Sequence, residues 1–123
     1  LDSCVSSYCK NLLSCHYTHD LRTLGLVYRQ YERLMSYWHS VLPGRILDVQ
    51  YEEMATDPET QIRRLLAHCE LSWHSGCLTP HQTKRPVNTA SATQVNAPIN
   101  SRSIGRWKNY EKHLAPLIDV LSD

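Results

Sequence analysis

Apolar residues recur at helical spacing near the start of the chain and again over a longer stretch. From 1 to about 13 they fall every three or four residues, which predicts a helix with one buried face. A polar turn over 14–19 follows, and Asp20 then caps a long helix that ends at Pro43-Gly44. Its apolar stripe, typical of a face turned to the core, comprises Leu24, Val27, Tyr28, Tyr31, Leu34, Met35, Trp38, Val41 and Leu42.

The segment 45–51, RILDVQY, has the β-branched and aromatic residues typical of a short strand. A single strand leaves both of its edges unpaired and cannot stabilise itself. We therefore expect it to pair in a parallel sheet whose other strands come from residues preceding Leu1. The predicted fold class is α/β, mostly helical in this chain, with one short parallel-sheet strand.

The remaining elements are predicted from caps and spacing. A helical turn is expected over 52–55, and Asp57 with Pro58 begins another helix. The residues 70–101 lose periodicity and predict a long loop, of the kind that is commonly functional. A last helix is expected from about 103 to 121, with Pro116 as the position of a kink.

Composition limits the classes of function. Of the 123 residues, 41% are hydrophobic and 20% charged, and a net charge of +1 gives no general affinity for nucleic acid. No stretch is apolar enough to span a membrane, and the first residues lack a signal-peptide layout. The five cysteines form no C-x-x-C pair and favour a reduced, cytoplasmic environment. Because the chain starts on Leu1 without Met, we expect a truncation.

Several polar residues have the chemistry of an anion site. Ser6 and Lys10 lie four residues apart on one side of the first helix, where a hydroxyl and an ammonium can share a phosphate. Tyr51 ends the predicted strand at a sheet edge where a base can stack. Arg106, next to Gly105, is suited to binding phosphate oxygens. For Ser6 and Lys10 the alternative is a solvated helix face. For Tyr51 it is a core tyrosine, and for Arg106 an exposed arginine in the first turn of a helix.

The segment between 91 and 107 is rich in short hydrogen-bonding side chains and resembles an anion cradle. Its candidate ligand residues are Ser91, Thr93, Gln94, Val95 and Asn100. A zinc site at Cys69, His74, Cys77 and His81 is disfavoured, because the spacing lacks a tight cysteine knuckle. Common hydrolase, zincin and P-loop chemistry has no local signature here. We also expect no metal.

Three ordered blocks make the chain resemble the sulfotransferase family, specifically the protein-tyrosine-sulfotransferase-like enzymes often fused to tetratricopeptide repeats. They are LDSCVSSYCKN, then DLRTLGLVYRQYERLMSYWHSVLPGRILDVQYEEMATDPETQIRRLLAHCEL, then NTASATQVNAPINSRSIGRWKNYEKHL. The resemblance covers essentially the whole chain. It implies a P-loop-like α/β fold, the C-terminal portion of one sulfotransferase domain over 1–123, and 3′-phosphoadenosine-5′-phosphosulfate (PAPS) as the sulfuryl donor.

The resemblance also implies roles for residues. Ser6, with help from Lys10, corresponds to ligands of the donor's 3′-phosphate, and Tyr51 to the tyrosine near the adenine. The loop 91–100 corresponds to the loop that embraces the nucleotide, and Arg106 to the basic residue before the helix tryptophan. The family's 5′-phosphosulfate loop and catalytic base would lie upstream, so we expect this chain to bind donor without turning over by itself.

Two interpretations of function remain open. The first is a PAPS-dependent sulfotransferase to which this chain supplies the 3′-phosphate and adenine side of the donor site. Its partner is an acceptor, either peptidyl tyrosine, a carbohydrate or a small alcohol, with no nucleic acid or membrane partner, and a homodimer stays open. The second is a helical interaction module that retains the family's packing without a nucleotide site.

Overall fold

A computed structural model describes residues 1–10, 15–82 and 96–122. The chain divides into two compact units, Leu1–Ile46 with Ser103–Asp123, and Leu47–Arg102. The α-helices are α1 (Asp2–Cys9), α2 (Leu21–Val41), α3 (Tyr51–Thr56), α4 (Pro58–His68) and α5 (Ala115–Ser122). Short 3₁₀ helices span His16–His19, Ser75–Leu78, Pro80–Gln82 and Arg106–His113, and we call the last of these the Arg106 segment.

The core of the first unit lies where α1, α2 and α5 meet. Its buried apolar cluster comprises Cys4, Val5, Leu24, Leu114 and Leu117, and Leu117 is fully buried. The α2 helix approaches α5 closely at Gly25, where an added Cβ would lie 3.0 Å from Val120 Cγ1. Glycine therefore allows two helices to pack backbone against side chain at this point. The two ends of the sequence thus share one core.

Helix caps follow the predicted residues. The Asp20 carboxylate accepts a hydrogen bond of 2.7 Å from the backbone N–H of Thr23 at the start of α2. Hydrogen bonding by Thr23 holds the pKa of Asp20 below its ordinary value. Asp57 caps α4 in the same manner, with Pro58 in the first turn. Gly44, just beyond α2, has a φ of 74°, a conformation that favours glycine.

The apolar stripe of α2 is buried over part of its length. Leu24 is buried, whereas Leu34 is 51% exposed and Trp38 and Val41 are also exposed. The α5 helix has 8 residues against 21 in α2, which is too short to cover the whole stripe. Helical spacing therefore predicted the helix correctly, but the expectation of a core-facing stripe holds for its first turns alone.

The predicted fold class was wrong. The segment 46–50 forms no regular secondary structure, and the part of the chain that the structure describes contains no strand and no sheet. Tyr51, the expected end of the strand, instead begins α3. β-branched residues favour an extended backbone, but a strand forms only when a neighbour accepts and donates its backbone hydrogen bonds. Over the described ranges the fold is helical, not α/β.

The predicted last helix is divided in two. The Arg106 segment is a 3₁₀ helix that ends before Leu114, and α5 starts at Ala115 with Pro116 in its first turn. Proline has no N–H to donate to the preceding turn, and its ring clashes with the carbonyl four residues earlier. The sequence predicts one helix kinked at Pro116, whereas the structure has two segments that meet at Leu114, with Pro116 in the first turn of the second.

The second unit is built around α3 and α4. Ile62 is its buried apolar residue on α4. The Arg63 guanidinium lies 3.8 Å from the ring centre of Trp73 and donates to the Glu59 carboxylate at 2.7 Å. The guanidinium thus fixes the indole of the segment after α4 to the outer face of that helix.

Candidate functional site

Three polar residues at intervals of four lie along one side of α1, two of them in the helix and the third at its C-cap. Asp2, Ser6 and Lys10 follow each other along the helix, whereas Cys4 and Val5 face the core. Residues four apart lie above one another on a helix surface, so these three form a polar row. Ser6 and Lys10 are exposed, and the backbone N–H of Lys10 donates to the Ser6 carbonyl at 3.2 Å.

Asp2, the first residue of that row, binds backbone groups more than a hundred residues later in the chain. Asp2 Oδ2 accepts a hydrogen bond of 2.7 Å from the Gly105 N–H, and Asp2 Oδ1 accepts one of 2.8 Å from the Trp107 N–H. Both lengths are those of charge-assisted hydrogen bonds, and both bonds are partly buried. The start of the Arg106 segment is thereby held against the first turn of α1.

Gly105 gives the backbone the shape for this contact. Its φ of 71° is left-handed, and it directly precedes the Arg106 segment. A left-handed residue followed by helical ones turns nearby N–H groups toward one point, which makes a backbone nest for an anion. The anion bound by this nest is the carboxylate of Asp2.

Arg106 lies between the two N–H donors and is exposed. Four residues of α1 rise about 6 Å, so Ser6 lies about one helical turn from the carboxylate that holds the Arg106 backbone. Ser6, Lys10 and Arg106, which were predicted to share an anion, are thus carried by two segments of the same unit that Asp2 connects. Their role as ligands stays a prediction.

Sequence reasoning missed two residues here. One is Asp2, whose partners lie 103 and 105 residues away in the chain, so no local pattern indicated them. The other is Lys108, whose Cε would lie 3.9 Å from a Cβ built on Gly105. Its aliphatic stem therefore crosses the glycine turn and brings another cation to this region. A lysine in the first turn of the Arg106 segment was the available signal.

The second unit contains the other described candidates. The Tyr51 hydroxyl donates to the backbone carbonyl of Asn100 at 3.3 Å, and the Tyr51 side chain is 46% exposed. Asn100 orders its own turn, since its amide donates to the Pro98 carbonyl and its side-chain oxygen accepts from the Arg102 N–H. Tyr51 and Asn100, predicted from separate parts of the sequence, are therefore in contact.

Four candidates fall outside the described residues, namely Ser91, Thr93, Gln94 and Val95. Across residues 1–10, 15–82 and 96–122, no group of three or more His, Cys, Asp or Glu side chains is placed to hold a metal ion. His74, one residue of the disfavoured zinc set, accepts a backbone hydrogen bond from Gly76 through Nδ1. None of the helices in the described ranges combines the length and apolarity that crossing a membrane requires.

Comparisons with known proteins identify the family. A model of the sulfotransferase family matches residues 1–75 of the 123. The chain also aligns over its full length with an uncharacterized protein of Aquifex aeolicus (strain VF5), at 39% identity over 127 residues. It spans 17% of the length of that relative. No solved structure matches the chain. The family match covers more than half of the residues, and the chain therefore belongs to the sulfotransferase family.

Proposed function

We propose that the protein is a PAPS-dependent sulfotransferase in which this chain binds the 3′-phosphate and adenine side of the donor. In the overall reaction the bond from sulfur to the donor's phosphate oxygen breaks, and a bond from sulfur to an acceptor oxygen forms. The acceptor hydroxyl loses its proton, and adenosine 3′,5′-bisphosphate leaves. The acceptor class is a peptidyl tyrosine, a carbohydrate or a small alcohol.

One observation carries this proposal, beyond family membership. Asp2 holds the Arg106 segment against the helix that bears Ser6 and Lys10. One hydroxyl and two cationic side chains are thus supplied to one unit by segments about a hundred residues apart. Phosphate is a ligand suited to this set, because it accepts charge-assisted hydrogen bonds from ammonium, guanidinium and hydroxyl donors together.

The described residues fit a phosphate held by side chains. Ser6, Lys10 and Arg106 are exposed, whereas the Gly105 and Trp107 N–H groups are taken by Asp2. The 3′-phosphate would therefore be bound by hydroxyl, ammonium and guanidinium groups, not by the backbone nest. In the second unit, the Tyr51 ring is accessible for stacking on adenine, and its hydroxyl is anchored at Asn100.

The test is calorimetric titration of the complete protein with adenosine 3′,5′-bisphosphate and, in parallel, adenosine 5′-monophosphate. Arg106→Ala should weaken binding of the bisphosphate by about 1.5–3 kcal/mol, the range for a hydrogen bond to a charged group. The monophosphate, which lacks the 3′-phosphate, should bind the variant as it binds the unaltered protein. Arg33→Ala, a matched change at an exposed arginine of α2, should alter neither dissociation constant.

Two results would contradict the proposal. An unchanged dissociation constant in Arg106→Ala would remove Arg106 from the site. If the unaltered protein bound neither nucleotide and gained no thermal protection from them, the helical interaction module would be the better account of the chain.

A further inference from the structure

The Asp2 carboxylate lies in the region proposed for the 3′-phosphate. It is one helical turn from Ser6 and bonded on both sides of Arg106. By charge alone, a carboxylate near a bound phosphate opposes binding. If Asp2 served the site simply through its charge, its removal would therefore tighten the binding of an anion.

The hydrogen bonds of Asp2 act in the opposite direction. Each oxygen accepts from one N–H, so the carboxylate holds Gly105 and Trp107 at the same time and fixes the residue between them. Gly105 is the most permissive residue in that turn, with a φ of 71°. Without Asp2, two N–H donors lose their partner and the glycine can turn away.

We infer that Asp2 is a positioning residue, whose carboxylate sets the backbone of Arg106 so that the guanidinium meets the donor's 3′-phosphate beside Ser6. This inference rests on the proposed function. Asp2 touches neither substrate nor reacting atoms in this account, and it acts through Arg106. The backbone nest at the start of the Arg106 segment thus binds the Asp2 carboxylate, and this contact orients Arg106 toward the proposed phosphate site.

Asp2→Asn separates positioning from charge. An amide offers one oxygen acceptor, and its NH₂ group faces an N–H that it cannot bond, so one of the two hydrogen bonds is lost. The negative charge is lost as well, which by itself favours anion binding. Positioning and charge therefore predict opposite changes in affinity for the bisphosphate.

The experiment is a double-mutant cycle in the complete protein, with Asp2→Asn, Arg106→Ala and the two combined. The ligands are adenosine 3′,5′-bisphosphate and adenosine 5′-monophosphate. We expect Asp2→Asn to weaken binding of the bisphosphate roughly tenfold. The upper limit is the effect of losing the arginine contact altogether, which is roughly 10- to 150-fold. The double variant should bind no more weakly than Arg106→Ala, and binding of the monophosphate should not change.

Asp119→Asn supplies a matched control, because it removes a carboxylate from an exposed position of α5 in the same unit. It should leave both affinities unchanged. Where Asp2→Asn does not fold, Gly105→Ala replaces it in the cycle, because an alanine is strained at the positive φ while Asp2 stays in place. The same non-additivity with Arg106→Ala is expected.

Each contrary outcome has one meaning. Unchanged or tighter binding of the bisphosphate by Asp2→Asn overturns the positioning role, even when Arg106→Ala confirms the proposed function. Equal loss of both nucleotides, additive with Arg106→Ala, indicates a purely structural role and also overturns it. If the unaltered protein binds no bisphosphate, the proposed function itself fails.

Discussion

Leu117 on α5 should be a principal determinant of the stability of the first unit. It is fully buried among Cys4, Val5, Leu24 and Leu114. Its Cδ1 would lie 3.3 Å from a Cβ built on Gly25, so one wall of its site is the backbone of α2. A helix backbone collapses poorly into a cavity, which places Leu117→Ala in the upper part of the range for buried leucines, about 3–5 kcal/mol.

The assay is urea unfolding followed by helical circular dichroism. Since small domains are stable by roughly 5–15 kcal/mol, the loss should move the transition midpoint strongly without changing the slope. Leu34→Ala is the matched control, because it deletes the same atoms from a side chain that is 51% exposed on α2. It should cost less than about 1 kcal/mol. A difference below about 1 kcal/mol between the two variants would refute the assignment of the core.

Three further predictions concern other residues. Hydrogen bonding holds the pKa of Asp20 below its ordinary value, so its cap stabilises the fold above that value and is lost as pH falls through the lower pKa of the folded state. In Asp20→Asn this part of the acid dependence should vanish from melts recorded over a series of pH values, and an unchanged profile would contradict it. Burial raises the pKa of the Cys4 thiol, whereas Cys9 is exposed. Alkylation of the native protein should therefore modify Cys9, and Cys4 should react only once the protein is unfolded. Equal alkylation rates at Cys4 and Cys9 in the native protein would disprove this. Arg63→Ala should cost about 0.5–1 kcal/mol and shift the emission of Trp73, whereas an emission unchanged relative to the unaltered protein would exclude the stacking.

The helix ends were predictable because their causes are local. Asp20 caps α2 by bonding a backbone N–H three residues later, and Asp57 with Pro58 starts α4 in the same manner. Gly44 follows α2 because the backbone at this position has a φ of 74°, a conformation that favours glycine. Each of these features depends on residues within one helical turn of each other, so a short stretch of sequence is enough to predict it.

The strand could not be predicted in the same way. The composition of residues 46–50 favours a strand, but the pairing that makes a strand depends on a second segment that composition does not specify. The stripe of α2 shows a related limit. Its spacing is helical throughout, yet Leu24 is buried and Leu34 exposed, because burial depends on how far α5 reaches. Periodicity predicts which face is apolar, and the partner decides how much of it is covered.

In the candidate site too, local spacing was predictable from the sequence and contacts between distant residues were not. The spacing of Ser6 and Lys10 on α1 follows from helical geometry and was predictable. Asp2 was not, since its role depends on a contact that spans more than a hundred residues. The contact of Tyr51 with Asn100 spans 49 residues and was equally hidden.

The eight residues of α1 connect the site to the stability of the first unit. One face buries Cys4 and Val5 against the core that contains Leu117, and the polar row on another face contains Asp2 and Ser6. The helix cannot shift to suit a ligand without disturbing its core contacts, because packed interiors resist small displacements. The position of Ser6 is therefore set by apolar packing. Asp2 transfers that rigidity to the Arg106 segment through two hydrogen bonds, so the geometry of the side chains proposed to bind the anion depends on the same core that stabilises the unit.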